Sequence, residues 1–134
     1  MNDPVTRRSP FARPTMSPAA KAVLLVAGLF YGVFGLWSFF APESFATFVA
    51  FPFALHLLHD IGAFQIGIGA TVLLALLWSD AVMVALGGYV VGTTVHVVSH
   101  VVDSQLGGHP TDAPALALLV ALGLAAMIAR AKGK

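Results

Sequence analysis

The sequence predicts an all-α integral membrane protein, an antiparallel four-helix bundle, and three observations carry that reading. All seven Lys and Arg residues lie towards the two ends (Arg7, Arg8, Arg13, Lys21, Arg130, Lys132, Lys134), so Ala22 to Ala129 holds no basic side chain but all five histidines. A Lys or Arg at the bilayer centre costs roughly 2.5–3.5 kcal/mol on the insertion scale, which makes that gap informative. The chain is 58% hydrophobic and only 10% charged, too few charges to coat a soluble domain of 134 residues. Finally, its apolar stretches are interrupted at intervals that divide them into four segments of spanning length.

Residues 1–17 hold prolines and three arginines without an apolar period, and are expected to form a disordered cytoplasmic tail. Ser17-Pro18 then offers an N-cap and a first-turn proline, opening a span at about 18–41 that stops at Ala41-Pro42. Arg7-Arg8 ahead of an apolar run resembles a secretion signal. The run is long enough to span, however, and Ser9-Pro10-Phe11 departs from the twin-arginine pattern, so a retained span is the reading adopted. Residues 42–53 are too few to cross and carry Phe45, Phe48, Phe51 and Phe53, as an interfacial segment would.

From Leu55 to Asp103 a single helix would run about 74 Å, more than twice the ~30 Å hydrocarbon thickness. The chain is therefore expected to turn at Ser79-Asp80, giving spans at about 55–78 and 81–102. Residues 103–113 (DSQLGGHPTDA) read as an outer loop, and a fourth span at about 114–130 returns the chain to the basic side. Both ends are expected in the cytoplasm of a cell (inner or plasma) membrane. Small pairs Gly28/Gly32, Ala63/Gly67 and Gly88/Gly92 mark expected close approaches between helices, while Trp37 and Trp78 suit interfacial belts.

Cysteine is absent, which excludes disulfides, thiol relays, iron–sulfur ligation and covalent haem attachment through Cys. The polar residues inside the spans concentrate the chemistry. His56, His59 and Asp60 fall on one side of the second span, and Thr93, His96, His100 and Asp103 share a face of the third. With the hairpin at Ser79-Asp80, His59 is expected level with His100 and His56 with Asp103, roughly 31 Å from the turn. The two polar faces would then meet at the outer end, with His109 and Asp112 closing over them. Imidazoles with carboxylates suit a divalent transition metal such as Zn, Cu or Ni, so His56, His59, Asp60, His96, His100 and Asp103 are the candidate metal ligands. Other readings of the same residues are an interhelical hydrogen-bond network, bis-His haem b on His59 and His100, and a quinone pocket or proton relay using Gln65, Tyr31 and the histidines. No nucleophile elbow or phosphate-cradling loop is present, so nothing points to a hydrolase and no catalytic residue is assigned.

The run Gly28 to Pro42 (GLFYGVFGLWSFFAP), followed by His59 to Ala70 (HDIGAFQIGIGA), resembles small four-helix bacterial membrane proteins, broadly the DoxX-like superfamily. The likeness covers about Val23 to Ala129 and is most specific at Leu57–Gly69, Thr94–Asp103 and Gly107-Gly108. It implies a compact antiparallel four-helix bundle. Some DoxX-like proteins are linked to quinone-dependent sulfur oxidation or to partner complexes, but no motif here transfers a catalytic residue. The expected function is thus a non-enzymatic multi-pass protein binding a metal ion or small ligand at its outer end. The alternatives are a quinone- or haem-linked redox subunit and a structural accessory protein. Expected partners are the lipid bilayer and a second copy or larger membrane complex, with no nucleic acid.

Overall fold

A computed structural model describes residues 16–132. It contains α1 (Pro18–Phe40), α2 (Pro42–Phe48), α3 (Leu55–Leu74), α4 (Val82–Val102) and α5 (Asp112–Lys132), with no strand among the described residues. Every helix except α2 is long and apolar enough to cross a membrane, which fits a multi-pass membrane protein. The tail expected at residues 1–17 lies outside the described residues, apart from Met16, which packs on the core, and Ser17.

Local chemistry sets most boundaries where they were expected. Ser17 Oγ accepts the Ala20 amide at 3.2 Å and Pro18 occupies the first helical turn. α1 ends before Pro42, which has no N–H to continue it. Two ends differ. α3 stops at Leu74 rather than near Trp78, because Leu76 and Leu77 switch to three-residue bonds onto Leu73 and Leu74. α5 starts at Asp112 rather than at Pro114, since the missing proline N–H falls among the first-turn amides that have no helical partner anyway.

α1 packs most extensively against α3 and α4 against α5, whereas the consecutive helices α3 and α4 touch only sparsely. Glycines explain the first pair. A Cβ added to Gly35 would lie 2.7 Å from the Ile66 nitrogen, one on Gly62 2.8 Å from the Gly35 carbonyl, and one on Gly69 2.6 Å from the Gly32 nitrogen. The two backbones interlock through Gly28 and Gly35 on one helix and Gly62 and Gly69 on the other, a seven-residue repeat. Of the expected small pairs Gly28 does lie at this approach, whereas Cβ atoms on Gly32, Gly67, Gly88 and Gly92 would meet nothing within 4 Å. Without a hydrophobic drive between helices in lipid, such close van der Waals approach selects neighbours.

The two helix pairs converge at the hairpin end, where Leu24, Ala27, Val72, Ala75, Val82, Leu86 and Ala126 form the core. Mid-bundle, Thr93 Oγ1 donates to the Tyr89 carbonyl at 2.7 Å, so its lone pair accepts the Tyr31 hydroxyl at 2.9 Å. Tyr89 in turn donates to the Leu119 carbonyl at 3.1 Å, joining α1, α4 and α5. Arg130 donates to the Ser79 carbonyl, which brings the basic end of α5 to the hairpin. The outward faces are apolar, with Val84 79% and Phe64 75% exposed, the inverse of a soluble domain.

Two stability outcomes follow. In detergent unfolding, Gly35→Ala and Gly69→Ala are expected to cost about 1–3 kcal/mol through overpacking against backbone, while Gly32→Ala stays within about 0.5 kcal/mol of the parent. A double-mutant cycle of Tyr31→Phe and Thr93→Val should give a coupling of about 0.6 kcal/mol, the usual size for a hydrogen bond between membrane helices; a value indistinguishable from zero would remove the mid-bundle staple.

Candidate functional site

At the end opposite the hairpin α3 and α4 stand apart, and between them lies a cavity of about 500 Å³, within the range of small-molecule sites. One wall is aromatic. Phe30 stacks on Phe34 at 4.6 Å, and Phe34 meets Phe45 and Phe48 edge-on at 6.0 and 6.2 Å. Phe45 is buried beside Leu58, which fixes α2 against α1 and α3. Trp37 supports this wall from behind, tilted on Phe48 at 4.9 Å with its indole N–H donated to Ser44 Oγ at 2.7 Å.

The outer loop closes part of the cavity. Ala50 has a positive φ of 51°, and its carbonyl accepts the Gly108 amide at 3.0 Å. Gly107 has φ 140°, and a Cβ there would lie 2.9 Å from that same carbonyl, so this close approach requires glycine. His109 donates Nε2–H to the Phe48 carbonyl at 2.8 Å, which fixes its tautomer. Asp112 accepts the His109 amide at 2.7 Å across the start of α5. Segment 48–50 and the outer loop are thereby tied together.

The opposite wall is polar. His96 and His100, one turn apart on α4, bring their Nε2 atoms to 3.2 Å, so in the neutral pair one donates and the other accepts. Asp112 Oδ2 lies 3.9 Å from His100 Nδ1, which favours a proton on that nitrogen. Across the cavity from α4, on α3, Gln65 Oε1 is buried and has no protein partner among the described residues.

The candidate ligands therefore divide into two groups. His96, His100 and Asp103 line the cavity, together with His109 and Asp112. His56, His59 and Asp60 do not. His56 pairs with Asp60 at 3.5 Å on a surface where the histidine side chain is 94% exposed, and His59 stacks on Phe39 at 5.0 Å. The expected meeting of the two polar faces is corrected for a physical reason: α3 turns its glycine face to α1, which carries His59 to Phe39 rather than to His100. Among the described residues no group of three or more His, Cys, Asp or Glu side chains is arranged to hold a metal ion. Nor does His59 share a site with His100, as bis-His haem requires.

Sequence reasoning placed Phe45, Phe48 and Phe51 at an interface and left Phe30 and Phe34 without a role, whereas all of them line the cavity. The signal was present in the four-residue spacing of Phe30 and Phe34 and the three-residue spacing of Phe45 and Phe48, which gives each pair one face. In comparisons with protein-family models, curated proteins and solved structures, nothing matches this chain.

Gly107→Ala is expected to loosen the strap. Exchange of the Gly108 amide, measured by hydrogen–deuterium exchange, should accelerate about tenfold, which corresponds to ~1.4 kcal/mol of local opening; unchanged protection would show that the Ala50 contact does not hold the loop.

Proposed function

We propose that this protein is a multi-pass membrane protein that binds a small amphipathic molecule in the cavity at the end of the bundle opposite its hairpin. One observation carries the reading: phenylalanines of α1 and α2, the polar side chains of His96, His100 and Asp112, and the unpartnered Gln65 Oε1 line one cavity of about 500 Å³. Apolar pockets with a few convergent polar groups are the usual form of small-ligand sites. The positions of the seven basic residues support an orientation with both ends in the cytoplasm, which puts the cavity towards the outer face. The division of the histidines moves the reading from a metal ion to an organic ligand, with no catalytic step assigned.

A quinone pocket is a second reading, drawn from Gln65 and the histidines as hydrogen-bond partners. Quinone carbonyls are acceptors and would take the Gln65 amide N–H, whereas Gln65 Oε1 and the two carboxylates call for a donor. The buried unpartnered atom is that oxygen, so the cavity favours a ligand that donates.

A neutral aromatic probe tests the central claim. Saturation-transfer NMR with phenethyl alcohol in zwitterionic nanodiscs should show transfer from phenylalanine ring protons of the protein, and Ala115→Phe, which adds a ring at the cavity lining, should abolish it. Equal transfer in parent and variant would mean that the probe resides in lipid, and the binding reading would fail. Elemental analysis gives an independent check: Zn, Cu and Ni are expected well below one ion per chain and unchanged in His100→Ala.

A further inference from the structure

The chemistry of the cavity lining defines its ligand more narrowly, an inference that rests on the reading just given. We infer that the cavity takes an organic cation, a protonated lipophilic amine whose apolar body lies on the phenylalanine wall and whose ammonium group donates to the polar wall. Three observations converge on this class. First, the cavity holds acceptors with no donor of their own. Gln65 Oε1 is buried and unpartnered among the described residues. Asp103, which closes α4 and lines the cavity, enters no ion pair among the described residues.

Second, the permanently charged groups on the lining are carboxylates, beside three histidines. Asp103 and Asp112 both border the cavity, and no Lys or Arg occurs anywhere between Ala22 and Ala129 to neutralise them. Asp112 has the His109 amide and a distant His100 nitrogen as partners, and Asp103 has neither. A carboxylate at the edge of an apolar bundle is stabilised by an opposite charge, and a cationic ligand supplies one. An anion such as a fatty acid or a phosphate headgroup meets the reverse situation, two carboxylates with no guanidinium or ammonium.

Third, the remaining surface suits the body of such a molecule. Phe30, Phe34, Phe45, Phe48 and Phe51 line the cavity. Aromatic faces attract ammonium groups, and the attraction grows when the site is shielded from water. A hydrated inorganic cation would gain nothing from this wall, whereas an arylalkyl ammonium uses both walls at once.

The test is isothermal titration calorimetry of the full chain in zwitterionic nanodiscs, with three probes of similar size. These are phenethylammonium, its neutral counterpart phenethyl alcohol, and the anion hydrocinnamate. Phenethylammonium is expected to bind about tenfold more tightly than the alcohol, since charge-assisted hydrogen bonds are about twice as strong as neutral ones; hydrocinnamate should give no binding heat. Asp103→Asn should bring the ammonium close to the affinity of the alcohol and leave the alcohol unchanged. Because the Asp103 side chain makes no bond among the described residues, thermal unfolding of that variant should match the parent, and Gln65→Leu should weaken both donors together. Equal affinity for ammonium and alcohol, with no effect of Asp103→Asn, overturns the cationic inference and leaves the cavity reading intact. Heats that are absent for all three probes, or unaltered by Ala115→Phe, overturn both.

Discussion

The glycine interlock between α1 and α3 is the constraint on which the rest of this structure depends. Gly28, Gly35, Gly62 and Gly69 allow two backbones to approach more closely than side chains would permit. In lipid, where apolar side chains gain little by leaving one apolar medium for another, such proximity decides which helices pair. Once α3 is committed to α1, its other faces are left to lipid and to the space beside α4.

The cavity is a consequence of that commitment. α3 and α4 are joined by a short turn segment and share the core at the hairpin, yet towards the other end they diverge. α5 pairs with α4 instead, and the Tyr31–Thr93–Tyr89 chain of hydrogen bonds holds the two pairs at mid-bundle. Among the described residues no side-chain hydrogen bond or ion pair joins α3 to α4, and the two touch only sparsely. The space is bordered by the phenylalanines of α1 and α2 and by the loop strapped through Gly107 and Gly108, so the close approach of one helix pair determines the site beside another.

The histidines show where reading a chain by period alone stops. Helical spacing correctly joined His96 to His100 and placed His56 beside Asp60, because those relations lie within one helix. Joining the two helices assumed that consecutive spans face each other with their polar sides. Depth along a hairpin can be counted from the sequence, but rotation about the helix axis was not available from it. Rotation is set by the strongest packing face, here the glycines of α3, which take His59 to Phe39. His109 and Asp112 were legible as neighbours of the site because a turn-rich loop following α4 has little choice but to return over its end.

The sequence by itself determined the class of protein, the number of spans and most of their limits, since these follow from transfer cost, proline, and capping, all of which act within a few residues. It also carried the pairings at one-turn spacing and the placement of every basic side chain outside the apolar stretch. Only the tertiary structure decided which helices are neighbours, which four of the many glycines serve as contacts, and that five phenylalanines from two helices and a loop share one cavity. Those outcomes turn on the rotation of each helix relative to the others, a choice made by competition among whole faces, and no local pattern records who wins it.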